Sequence, residues 1–122
     1  EAANISGDTS NVLSQGRLAL TRMSRELRNM RSISSSDLTM AASQIVFTMV
    51  DGTAITYSYS GGNVLRNSQT LTPANSLSFA YYDANGAVTA VNANVRYITV
   101  SFSITENSST EDFVSTVYLR NS

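Results

Sequence analysis

One helical stripe, followed by a long run of period-two alternation, limits this chain more than any other feature. Leu13, Gly16, Leu20, Met23, Leu27 and Met30 recur at spacings of 3, 4, 3, 4 and 3, which keeps them on one face of an α-helix. The pattern predicts a helix over about residues 10–31, roughly 33 Å long at about 1.5 Å per residue. Asp8, Thr9 or Ser10 can cap its start. Ser32, Ser34, Ser35 and Ser36 end it, because serine hydroxyls compete for backbone hydrogen bonds. Residues 1–9 are small and polar and read as a frayed terminus or the remnant of a longer helix. Residues 10–122 read as one globular domain.

Everything after Asp37 reads as strand, over about residues 44–119. Gln44 to Met49 and Thr53 to Tyr59 flank Asp51-Gly52, a hairpin signal. A two-residue loop sets Ile45, Phe47 and Met49 beside Ala54, Thr56 and Ser58. A loop of Val50, Asp51 and Gly52 sets them beside Ile55, Tyr57 and Tyr59 instead, giving one apolar face, and is preferred. It requires Gly52 in the left-handed region. Gly61-Gly62 opens another turn before a short strand at Val64 and Leu65. Pro73 lacks a ladder N–H, so Asn67 to Asn75 is expected as loop. Leu77, Phe79 and Tyr81 alternate up to Asp83-Ala84-Asn85-Gly86, and a weak strand is expected around Val88 and Val91. Ile98, Val100, Phe102 and Ile104 face Phe113, Val117 and Leu119. Pairing Ile104 with Phe113 makes a hairpin over a polar loop from Thr105 to Asp112. The expected fold class is α+β: a long amphipathic helix packed on antiparallel sheet of six to seven strands.

Composition narrows the chemistry. The 122 residues contain no His, no Cys and no Trp, and all eight basic residues are Arg. A serine nucleophile therefore has neither His nor Lys as base, and the commonest zinc ligands are missing. Asp83 and Asn85 lack the spacing of a calcium loop, so a plain turn is expected there. Glu111 and Asp112 are adjacent on a strand, point to opposite faces and cannot act as an acid–base pair. The sequence predicts no enzyme, no cofactor and no metal site. No segment reaches the roughly 18 apolar residues of a membrane span. A net charge of −1 gives no reason to expect nucleic acid.

The charge that remains is concentrated on the helix. Arg17, Arg22, Arg25, Arg28 and Arg31 spread over the face away from the stripe, with Glu26 among them and spaced to pair with Arg22. Such a face can meet phosphate, an anionic lipid surface or an acidic neighbouring subunit, or simply be solvated. Leu18 falls among Arg17, Arg25 and Asn29 on the helical wheel, where a second partner would touch. Arg17, Leu18, Arg22, Arg25 and Arg28 are the candidate subunit-interface residues. Tyr57, Tyr59, Tyr81, Tyr82, Tyr97 and Tyr118 can form a sugar-binding platform or, as the hydrophobic alternation favours, core with hydroxyls at the edge.

These residues bear a family likeness. Arg17-Leu18-Ala19-Leu20, leading into Met23-Ser24-Arg25-Glu26-Leu27-Arg28, resembles the helix of minor pilins and J-type minor pseudopilins. The likeness continues through Ile45-Val46-Phe47, Asp51-Gly52, Ile55-Thr56-Tyr57 and Leu65-Arg66-Asn67. It resumes at Leu77-Ser78-Phe79, Tyr81-Tyr82-Asp83, Asn85-Gly86, Val95-Arg96-Tyr97-Ile98-Thr99-Val100 and Leu119-Arg120-Asn121. The resemblance implies a structural subunit that binds other minor pilins or pseudopilins and the major subunit, to initiate or cap a type IV pilus or type II secretion pseudopilus. It implies an inner-membrane anchor, an N-terminal hydrophobic helix trimmed by a prepilin peptidase, and a periplasmic head or cell-surface filament in a Gram-negative bacterium. That anchor, the family's cleavage motif and its early Glu are not in this sequence. An extracellular adhesin or carbohydrate-binding module is the alternative.

Overall fold

The computed structural model describes residues 2–119, with side chains from Val12 onward inside the helix. Helix α1 (Ala2–Arg28) is followed by β1 (Leu38–Met40), β2 (Ile45–Thr48), β3 (Ala54–Ser60), β4 (Asn63–Arg66), β5 (Gln69–Pro73), β6 (Ser76–Tyr82), β7 (Tyr97–Glu106) and β8 (Ser109–Tyr118). The helix starts before the expected residue 10, so the cap candidates Asp8, Thr9 and Ser10 lie inside α1 and do not cap it. The expected polar extension is helical backbone from Ala2, its side chains lying outside the described ones.

The expected fold class is corrected. Among the described residues the molecule is mostly β, with eight strands in two separate antiparallel sheets, β1-β2-β3-β4-β5 and β6-β7-β8. Helix α1, whose described side chains span Val12–Arg28, packs against both sheets rather than lying along a single sheet of six to seven strands. The ladder breaks after Pro73. Ala74 N–H still donates to Gly62 in the first sheet (3.0 Å), while Asn75 N–H already donates to Ser103 in the second (2.8 Å).

The Asp51-Gly52 hairpin has the expected register, with Ile45 opposite Tyr57 and Phe47 opposite Ile55. Gly52 N–H donates to Met49 and Met49 N–H to Thr53, closing the three-residue loop, and Gly52 sits at φ 92°. Val64 lies in β4, as expected. The Pro-containing segment Asn67 to Asn75 is not loop: β5 within it is a strand, tolerated because it is the sheet's edge and Pro73 is its last residue. Nor does Ile104 face Phe113. Phe102 does, with rings stacked at 5.1 Å, and Ile104 lies opposite Glu111. The strands run on to a two-residue turn at Asn107-Ser108, so most of the expected Thr105–Asp112 loop is ladder. Around Val88 there is one isolated bridge to Tyr82, and Val91 precedes a 3₁₀ turn, Asn92–Asn94. Short β1 was not expected; Leu38 anchors it opposite Phe47.

The two sheets and the helix share one core. Ala19, Met23 and Leu27 of α1 pack with Phe47, Ile55 and Tyr57 of the first sheet and Phe79, Val100 and Phe113 of the second. Gly16 lets the helix settle closely onto β7 and β8: a Cβ there would stand 2.7 Å from Ile104 Cδ1 and 3.0 Å from Phe113 Cζ.

Candidate interaction face on the helix

The inner side of α1 is tied down by polar as well as apolar groups. Gln15 Nε2 donates to the Leu71 carbonyl of β5 at 3.0 Å. Ser24 Oγ donates to Leu20 within the helix (2.8 Å) and shares a hydrogen bond with the Ser115 hydroxyl of β8 (2.7 Å). Glu26 is buried. Tyr57 O–H donates to it, and Arg66 donates from Nε and Nη2 to its two oxygens at 2.9 and 2.8 Å. Arg22 Nε stands 3.5 Å away on the same helix.

Burial alone pushes the Glu26 carboxyl up, but Arg66, Tyr57 and Arg22 outweigh it and hold the group below the usual carboxylate range. Burial, reinforced by the Glu26 hydrogen bond, pushes the Tyr57 phenol well above the ordinary tyrosine range. The expected Arg22–Glu26 pair therefore exists, yet the acid's closer partners come from the sheet. On the wheel Glu26 stands about 60° from Met23, at about 100° per residue, which is the border of the stripe rather than the arginine face. That position was the signal for its burial. Its partners, 31 and 40 residues away, left no mark in local sequence.

The opposite face is free of such ties. Arg17, Arg25 and Arg28 are exposed, and none forms an ion pair among the described residues. Leu18 is 71% exposed between them. Arg22, with its side chain 43% exposed, borders both sides. The structure thus brings Arg17, Leu18, Arg25 and Arg28 to one outer surface and draws Arg22 toward the buried acid. Arg31 is corrected: α1 ends at Arg28, the chain bends so that Arg31 N–H donates to Thr48, and Arg31 Nη2 pairs with Asp37 at 2.9 Å.

The other candidate chemistry resolves into structure. Asp83 Oδ1 accepts the N–H groups of Asn85 (2.8 Å) and Ala87 (3.0 Å), a plain turn. Tyr57 and Tyr81 are core. Tyr81 is pushed up to about 12 by burial, against the hydrogen bond from Ala41, and lines an apolar groove of about 300 Å³ that no charged side chain enters. Tyr82, Tyr97 and Tyr118 form a row across the outer face of the second sheet, with ring centroids 5.0 and 5.1 Å apart. Tyr97 has a ring on either side of it, while Tyr118 ends the row and is exposed. No helix among the described residues is long and apolar enough to cross a membrane. No protein-family model, curated protein or solved structure matches the chain.

Proposed function

We propose that this chain is a structural assembly subunit, non-enzymatic, that docks through the outer face of α1 onto neighbouring subunits of a filament, in the manner of a minor pilin or pseudopilin. One observation carries the reading: the helix commits its inner face to two sheets, while its outer face holds Arg17, Arg25, Arg28 and a lone exposed Leu18 without internal partners among the described residues. An apolar contact ringed by arginines suits a protein surface with carboxylates at its rim. The reading rests on this face and on the sequence likeness, not on the fold. In it, an N-terminal hydrophobic helix lies upstream of Glu1, and the neighbours are other minor subunits and the major subunit.

The test is Leu18→Asp, Arg25→Glu and Arg28→Glu, each made in cells and scored for filament assembly or secretion. Loss of assembly with unchanged folding supports the reading; normal assembly in all three overturns it. Glycan binding that is lost in Tyr118→Ala and untouched by the helix variants would favour the adhesin reading.

A further inference from the structure

The outer strand β8 has a free edge whose chemistry is unlike that of a strand meant to face water. The turn at Asn107-Ser108 makes Glu106 and Ser109 the first pair of the β7–β8 ladder. Odd-numbered residues of β8 therefore bond back to β7, a parity that Leu119 N–H continues by donating to Arg96 at 3.0 Å. Even-numbered residues turn their N–H and C=O groups away from the sheet. No backbone hydrogen bond from Val114, Thr116 or Tyr118 to another element is recorded among the described residues.

Exposed edges are ordinarily blunted by charge, proline or a bulge. Here the charge stops at Asp112. Phe113-Val114-Ser115-Thr116-Val117-Tyr118 contains no charge, proline or glycine, the ladder to β7 runs without a register shift, and the residue types are strongly strand-forming. On the outer face Val114 is 58% and Tyr118 69% exposed.

We propose that this edge pairs with the same edge of a second copy, antiparallel about a two-fold axis at Thr116, giving a continuous six-stranded sheet. Charge selects the register. Pairing nearer the turn brings Glu111 and Asp112 of the two copies together, whereas pairing centred on Thr116 keeps them apart. The same register sets Val114 opposite the other copy's Tyr118, so each exposed apolar side chain covers the other. The contact is isologous and closes at two chains. It is separate from the helix face and goes beyond the assembly reading above.

Sedimentation velocity over a wide concentration range, with amide exchange at each concentration, tests it. The 122-residue chain is expected to dimerise, with the Val114, Thr116 and Tyr118 amides gaining protection as concentration rises. Thr116→Pro removes an N–H that points away from β7, and Val114→Lys with Tyr118→Lys adds edge charge; both are expected to be monomeric. If Thr116→Pro fails to fold, the lysine variant decides. A chain monomeric at every concentration, a dimer surviving in the folded variants, or amides equally protected at all concentrations would overturn the proposal.

Discussion

On the inner flank of α1, Arg66 and Arg22 converge on Glu26 beneath Tyr57. On the outer face of the same helix, Arg17, Arg25 and Arg28 lie in solvent with no acid beside them among the described residues. The two regions hold the same residue type one turn apart. A charge that has been desolvated and paired becomes part of the fold, because removing its partner leaves an uncompensated ion in the interior. A solvated charge can be changed with little effect on the fold, and that freedom leaves it available to a partner.

The sharpest way to break this contrast is Glu26→Ala. It leaves Arg66 and the Tyr57 hydroxyl without their acceptor, and a loss of about 3–5 kcal/mol is expected in urea melts. Gly16→Ala comes next. Its Cβ must displace Ile104 Cδ1 and the Phe113 ring, an overpacking cost of about 1–3 kcal/mol, from which about 1 kcal/mol of helix propensity is recovered. Acid should separate the two faces without mutation. Because the Glu26 carboxyl is lower in the folded than in the unfolded chain, its contribution is present in full above the ordinary glutamate value of about 4.5. It is lost as pH falls through the folded value. Melts of Glu26→Gln should show a flatter pH profile in that window. The smallest effect is expected on the outer face: Arg17→Ala, Arg25→Ala and Leu18→Ala should each stay within about 0.5 kcal/mol. A larger loss in any of them would mean that the outer face also serves the fold.

Sequence pattern reached the helix stripe as far as Leu27, because Met23 and Leu27 have only one core to face, whereas Met30, expected on the same stripe, lies past the helix end in a bridge to Met49. It also reached the β2–β3 register, where a single glycine and the parity of Phe47 and Ile55 leave one solution. It missed wherever alternation alone had to decide. Sliding β8 by two residues keeps every side chain on its face, so Ile104 opposite Phe113 looked as good as Phe102 opposite Phe113. The turn settles such cases, and both missed hairpins turn on Asn-Ser: Asn67-Ser68 at φ 49° and 72°, Asn107-Ser108 at 53° and 70°. Asparagine tolerates this region, but serine there is weak as a written signal beside Asn-Gly. At the first turn Asn67 compensates by accepting from Thr56 N–H at 2.8 Å. The split into two sheets was hidden for a similar reason, since Pro73 ends an edge strand as readily as it fills a loop.

In both sheets the strands lie side by side in the order in which they occur along the chain. Each sheet can therefore close one hairpin at a time, through short loops everywhere except the longer 83–96 connection between β6 and β7, so most steps lose little entropy. The Glu26–Arg66 clasp spans 40 residues and can form only once the helix has met a finished β4. We expect it to act late on the route to the native state, so that Glu26→Gln quickens unfolding while leaving the refolding rate nearly unchanged. Stopped-flow refolding slowed in proportion to the lost stability would reverse that order of events, placing the helix at the start.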